Sequence, residues 1–233
     1  MKQVICTGLA VLDHVFQLPN IPKVPIKCFA SSYLQVGGGN AATAAVALKR
    51  GGGKAIFWGR LGDDHNGDII LEELKELGVD VQDVLRQQGV KSGVSSVLID
   101  SAGERLITNY NDQKLISNAD WLPIERIKES NAVLVDFRWH KGAIKTLRKA
   151  RELGIPAVLD ADLTPEGLNE DVIGSATHVI FSQPALKEFG AGKSTEEALN
   201  YALELNCGWV GVTEGSSGTR WLDKGVLRHF PAF

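Results

Sequence analysis

The sequence predicts an α/β fold: a central, mostly parallel sheet with helices on both faces, plus a small β-sheet lid. Three observations predict it. Short Val- and Ile-rich runs ("QVICTG", "AIFWGR", "AVLVDF", "PAVLDAD", "HVIFS", "WVGVTEG") recur along the chain, as buried parallel strands do. Amphipathic stretches such as "GDIILEELKELG" and "GAIKTLRKARELG" lie between several of them, each closed by a glycine where a helix end calls for one. Two segments, about 24–36 and 93–111, read as strands without intervening helices and would form the lid. Residues 1–233 are read as a single domain with these strands inserted.

In chain order, "VICTGLAVLDHVF" reads as a first strand, with Asp13 and His14 interrupting what could otherwise pass for a secretory leader. "IKCFASSYLQV" reads as a lid strand with Lys27 at its start. "VGGGNAATAAVALKRGG" follows, where Gly37, Gly38 and Gly39 run directly into a helix of small residues. Backbone N–H groups at such a helix start suit a polar or anionic small molecule, although the same residues also suit a tight turn and a closely packed helix. In "WGRLGDDHNGD" the two acids Asp63 and Asp64 stand where a helix N-terminus takes caps. "GVSSVLID", the turn "SAGE" and "RLITNY" complete a small antiparallel lid, with Asn109 near the end of its last strand. One face of so small a sheet stays exposed unless a partner covers it, so a homodimer through the lid is expected.

"VDFRWH" puts Arg138 at the end of a buried strand, where an idle cation is costly and an anionic partner is called for, either a ligand or an aspartate such as Asp136 or Asp160. "FGAGKSTEEAL" contains the tail of a phosphate-binding loop, but position 187 is Lys where the first glycine belongs. It reads instead as a helix-helix turn with a capping box, Ser194 and Glu197. "VTEGSSG" ends a strand with small residues, either at the ligand-binding edge of an open sheet or in an ordinary glycine-rich hairpin.

A hydrophobic content of 44% over 233 residues is enough for a full core, and a net charge of -3 with interspersed acids and bases lacks the basic footprint of nucleic-acid binding. Cys6, Cys28 and Cys207 show no metal-ligand spacing and fit buried thiols in a reducing compartment. No apolar run approaches the roughly 18 residues of a membrane helix. A cytoplasmic protein with no membrane or nucleic-acid partner is expected.

The two glycine groups, with Asp13 ahead of them and "VGVTEGSSG" late in the chain, resemble the PfkB carbohydrate kinase family, also called the ribokinase family. The resemblance implies a ribokinase-like fold and ATP-dependent sugar phosphorylation with Mg2+. It places Asp13, Gly37 and Gly38 against sugar hydroxyls, with Gly39 beside them, and Thr213, Gly215 and Gly218 beside ATP. "VGGGNAATAAVA", "ITNY", "VDFRWHKGA", "VLDADLTP" and "FSQPAL" further resemble the branch that phosphorylates the 1-hydroxyl of 6-deoxy-6-sulfofructose in sulfoquinovose degradation. That likeness implies a sulfonate pocket of Lys27, Asn109 and Arg138. Kinases for other ketohexoses, ribose or sugar acids are the same-class alternatives.

Three departures from the family pattern matter. The asparagine usual at the position of Ala42 is absent, and the nearest one is Asn40. Ser182, Gln183, Pro184 and Ala185 stand where N-x-x-E is usual, which leaves Ser182 on the nucleotide side and Asp160 and Asp162 as substitute magnesium ligands, acting through water. The D-T-x-G-A-G-D signature, with its catalytic-base Asp, is expected after Phe233. The sequence therefore reads as C-terminally incomplete, with a non-catalytic sugar-binding protein as the different-class alternative.

Overall fold

The structure is a computed structural model that describes residues 2–116, 118–205 and 207–232. The chain opens with β1 (Gln3–Gly8), β2 (Val11–Gln17), β3 (Ser32–Gly38), α1 (Asn40–Arg50), β4 (Lys54–Gly62) and α2 (His65–Glu76). β5 (Leu85–Gln87), β6 (Gly93–Ile99), β7 (Arg105–Tyr110), β8 (Ala132–Asp136), α3 (His140–Glu152) and β9 (Ala157–Ala161) follow. It continues with α4 (Glu170–Ser175), β10 (His178–Ser182), α5 (Gln183–Gly190), α6 (Thr195–Glu204), β11 (Trp209–Thr213), β12 (Thr219–Asp223) and β13 (Val226–Phe230).

Among the described residues the strands form two sheets. The larger has nine strands in the order β13-β12-β11-β10-β9-β8-β1-β4-β5. Its pairs from β5 to β11 are parallel, and only β12 and β13 join antiparallel. α1 and α2 cover one face, where Ala41, Ala45, Ile70 and Leu74 pack on Cys6, Phe57 and Leu61. The other helices lie on the opposite face, where Leu147, Ile173, Leu186 and Leu199 pack over Val133, Leu159, Phe181 and Val210. Full burial of such aliphatic side chains stabilises the fold by roughly 1.5–3 kcal/mol each before entropy is counted.

The second sheet is the lid, in the order β3-β2-β6-β7. It is mixed rather than antiparallel, because β2 and β6 pair in parallel. The expected first strand is in fact two, β1 in the large sheet and β2 in the lid. Gly8 permits the switch, since a Cβ there would fall 2.2 Å from Asp136 Oδ2. The lid strand expected from Ile26 begins only at Ser32, where pairing with Gln17 at the end of β2 begins. Pro22 and Pro25 precede it and have no N–H to donate to a ladder. Lys27 is thus not on a strand.

The helix ends follow their sequence signals. Asp64 accepts from Gly67 N at 3.0 Å and caps α2, while Asp63 pairs with Arg86 at 3.5 Å. Ser194 and Glu197 form the expected capping box of α6. Ala191 turns left-handed at φ 47 after α5, so "AGKS" is a helix-helix turn. Cys6 and Cys207 are buried as expected, but Cys28 is exposed.

Candidate functional site

The carboxyl ends of β1, β8, β9, β10 and β11 form one edge of the large sheet, where open α/β folds place ligands. The deepest polar group there is Asp136, fully buried at the end of β8. Its carboxylate accepts from Leu9 N at 2.6 Å, Ala41 N at 3.1 Å and Arg138 N at 2.9 Å. One side chain thereby ties the β1–β2 link, the start of α1 and the β8–α3 link together. Burial pushes its pKa up, and the three N–H donors offset part of that rise.

This corrects the reading of the glycine-led helix as an open anion cradle. Ala41 N is taken by Asp136, Ala42 N donates to Leu9 O at 3.3 Å, and Gly37 N donates to Glu73 Oε2 at 2.7 Å. The first turn of α1 is largely satisfied from within the protein. The glycines instead allow close approach. Gly38 lies under Asp13, whose Oδ2 would be 2.1 Å from a Cβ, and a Cβ on Gly39, at φ 95, would fall 2.5 Å from Leu9 O. Asp13, on β2, and Gly37 to Gly39 are therefore brought together where the lid meets the large sheet.

Arg138 stands two residues beyond β8, with its side chain 21% exposed and its Nη2 3.7 Å from Asp162 Oδ2. Its Nε is buried without a hydrogen-bond partner. The partner is therefore neither of the two aspartates expected, because Asp136 is committed to backbone and Asp160 accepts from Asn40 Nδ2 at 2.8 Å. Asp162 also accepts from Ser182 Oγ at 2.7 Å. Burial raises the pKa of Asp160; Asn40 opposes the rise, Asp162 adds to it and Arg138 opposes it.

The other two members of the expected anion set stand apart from Arg138. Lys27 is exposed, its ammonium 5.7 Å over the Phe29 ring. Asn109 is on β7, opposite Ser95, and is exposed. Among the described residues no hydrogen bond or ion pair joins the three.

Of the residues expected beside ATP, Ser182 and Thr213 are register partners at the ends of β10 and β11. Ser182 Oγ also accepts from Ala185 N at 3.3 Å and caps α5. Beyond Thr213 the chain turns through Gly215–Ser217 into β12, which is the hairpin alternative. Gly215, at φ 55, has open space around it. Gly218, at φ 94, has a packing reason of its own, since a Cβ would fall 2.0 Å from Phe230 O. Glu214 and Arg220 brace the hairpin with a salt bridge. A cavity of about 680 Å³, lined by Gln183, Lys187, Lys193 and Glu214, opens beside this end.

The donor set does not fit a metal held by the protein. Asp162 has one oxygen on Ser182 and the other facing Arg138, and Asp160 is bonded to Asn40. Among the described residues no three carboxylate, thiol or imidazole groups cluster as ligands.

Sequence reasoning missed the backbone role of Asp136 and a buried cation beside it. Arg60, on β4, is 7% exposed and stacks 3.8 Å from the Trp139 ring. Burial lowers its pKa to about 9, and Asp136 opposes the fall. An acid closing the apolar run "AVLV" and an arginine inside "AIFWGRLG" were the available signals.

A parallel sheet with ligand-facing loops at its carboxyl edge and a small sheet standing beside them defines the ribokinase-like class of α/β proteins. The comparisons agree. The sequence pattern of the pfkB family carbohydrate kinases matches residues 1–233, and the chain belongs to that family. A crystal structure from Agrobacterium tumefaciens, described as that of a "putative ribokinase", is 35% identical, with a TM-score of 0.93 over 100% of this chain and 77% of that one. The Arabidopsis thaliana protein named "Probable fructokinase-2" is 26% identical over 213 residues, and the match spans 84% of this chain and 65% of that protein. A ribokinase of Bacillus subtilis is 25% identical across 95% of this chain and 74% of its own. No described helix is long and apolar enough to cross a membrane.

Proposed function

We propose that this chain forms the sugar- and nucleotide-binding body of an ATP-dependent kinase acting on the 1-hydroxyl of 6-deoxy-6-sulfofructose. Family membership and the similarity to fructokinases and ribokinases support a sugar kinase using MgATP as substrate. The observation that carries the sulfonated sugar is Arg138. Among the described residues this largely buried guanidinium has no partner at Nε and one salt bridge, at 3.7 Å, so donors remain for an anionic group. A sugar acid would use the same donors, which keeps that reading as the second.

In this arrangement Asp13 accepts from sugar hydroxyls, with Gly37, Gly38 and Gly39 giving the sugar close access to the backbone. Arg138 takes the anionic end, and Lys27 and Asn109 join it when the lid or a second copy moves over the site. Ser182, Thr213, Gly215 and Gly218 border the triphosphate. In-line transfer then gains from orientation and from exclusion of water by the lid. None of the carboxylates described here is assigned the proton abstraction. The lid also offers a dimer surface, since Phe29, Tyr33, Leu34, Leu106 and Ile107 expose apolar side chains.

Calorimetric titration with 6-deoxy-6-sulfofructose, fructose, ribose and 2-keto-3-deoxygluconate, paired with phosphoryl transfer from MgATP, tests the reading. The sulfonated sugar is expected to bind at least about tenfold tighter than fructose, and Arg138→Ala to cost about 2–4 kcal/mol of that affinity, as for truncating one partner of a buried charged contact. Absence of binding by every sugar would end the reading.

A further inference from the structure

We propose that Asp162 is a specificity-determining residue of the anion-binding arm, restricting it to singly charged groups. The inference rests on the anionic-sugar reading above and concerns the charge of the group that Arg138 accepts. Asp162 Oδ2 faces Arg138 Nη2 at 3.7 Å, so the arm already holds one negative charge beside its cation. The carboxylate is not free to swing away. Ser182 Oγ donates to its other oxygen at 2.7 Å, and Ser182 is itself fixed as the cap of α5, accepting from Ala185 N at 3.3 Å. Asp160 stands on the same strand end, held by Asn40 at 2.8 Å.

Among the described residues no further cation offsets this charge before the lid brings Lys27 over the site. His140, two residues on, pairs with Glu166 at 3.5 Å. Lys27 lies exposed on the segment between β2 and β3. A monoanion bound at Arg138 leaves the arm one charge negative until Lys27 joins it and neutral thereafter, whereas a dianion leaves it one charge more negative in either state, with the excess directed at a carboxylate held in place by Ser182. Like charges brought together in this partly buried arm disfavour the second charge. A sulfonate or carboxylate fits the arm, and a phosphate monoester, dianionic above its second pKa of about 6, does not. Asp162 acts on the ligand through Arg138 and through its own field, while the guanidinium makes the contact.

The test compares the affinities of 6-deoxy-6-sulfofructose and fructose 6-phosphate at pH 8 by titration calorimetry, in the absence of nucleotide. The two differ in the charge of the terminal group and in the ester oxygen that joins C6 to phosphorus, and the ratio between wild type and variant isolates the charge. The wild type is expected to favour the sulfonated sugar by about tenfold or more. Asp162→Asn should cut that ratio by about tenfold, mainly by strengthening the phosphate sugar. Asp162→Glu, which keeps the charge, should hold the ratio near the wild-type value. Ser182→Ala, which frees Asp162 without removing it, should give an intermediate ratio and guards against misfolding of the first variant. If Asp162→Asn leaves the ratio unchanged, or weakens both sugars equally, Asp162 is only structural and the proposal falls while the sugar site stands. If the wild type binds neither sugar, the anionic-sugar reading fails and the proposal goes with it.

Discussion

The carboxyl edge around Asp136 and the lid sheet lie side by side and are stabilised in opposite ways. At the edge, a fully buried carboxylate gathers three backbone N–H groups from three segments far apart in sequence. In the lid, β7 is exposed along its whole length and most of β3 is too, with Leu106, Ile107 and Leu34 facing outwards. The Asp136 hydrogen bonds are all made within the described residues, and removal of any part should be costly. The lid keeps apolar area in reserve, and its outer positions should tolerate change until something docks on them.

Truncating Asp136 probes the edge most severely. Asp136→Ala leaves three backbone N–H groups, one buried and two partly buried, without their acceptor and deprives Arg60 of its nearby negative charge. Breaking a buried charged network by removing one partner costs about 3–5 kcal/mol. Urea unfolding should show a loss of that size, and a loss below about 1 kcal/mol would mean that water serves the three donors equally well.

Two glycines sharpen the comparison. Gly38→Ala puts a Cβ 2.1 Å from Asp13 Oδ2, whereas Gly103→Ala in the lid turn, at φ 83, meets nothing within 4 Å. The first should displace Asp13, cost about 1–3 kcal/mol as overpacking does and lower sugar affinity by about tenfold or more. The second strains only its own backbone, at about 1 kcal/mol, and should leave sugar affinity unchanged. Equal effects of the two on sugar binding would dissociate Asp13 and Gly38 from the site.

The same contrast explains what the sequence made legible. Alternating apolar strands and amphipathic helices gave the large sheet, because buried parallel strands need continuous Val and Ile and their crossover helices need one apolar face. Caps at Asp64 and Ser194 were legible because side-chain oxygens three residues from a backbone N–H leave a local signature. The break at Gly8 and Leu9 was not, since "VICTGLAVLDHVF" is apolar on both sides of it. Only Asp136, 127 residues away in sequence from Leu9, explains why the chain turns there. The motif grouped Asp13 with Gly37 and Gly38, and the pairing of β2 with β3 does bring them together. The partners of Arg138 were not legible, because the choice among Asp136, Asp160 and Asp162 depends on how the ends of β8 and β9 stack.

Acid separates the edge from the β11–β12 hairpin by sign. The Arg220 guanidinium holds the Glu214 carboxyl below its ordinary range. Its folded pKa is depressed, so its contribution is present above the unfolded value of about 4.3 and lost as pH falls through the folded value. Asp136 and Asp160 are raised by burial. Their contribution is fully present below the unfolded value of about 3.9 and is lost as pH rises through the folded values. Glu214→Gln should therefore lower Tm at neutral pH, and its difference from the wild type should shrink as pH falls below about 4. A difference that grows with acid would mean the wrong sign for this pair.

The smallest expected effect on folding is at the lid face. Ile107, on β7, is 51% exposed, so Ile107→Lys removes little buried area and should change unfolding free energy by no more than about 0.5 kcal/mol, the range of exposed substitutions. Self-association is the readout that can move. If lid strands of two copies pack together, a lysine within the apolar face leaves a buried unpaired ammonium in the dimer, and the weight-average mass in sedimentation should fall towards that of one chain. A wild type that sediments as a monodisperse monomer at micromolar concentration would remove the lid as a dimer surface. On the proposed reading, Asn109 would then reach Arg138 by closure within one chain.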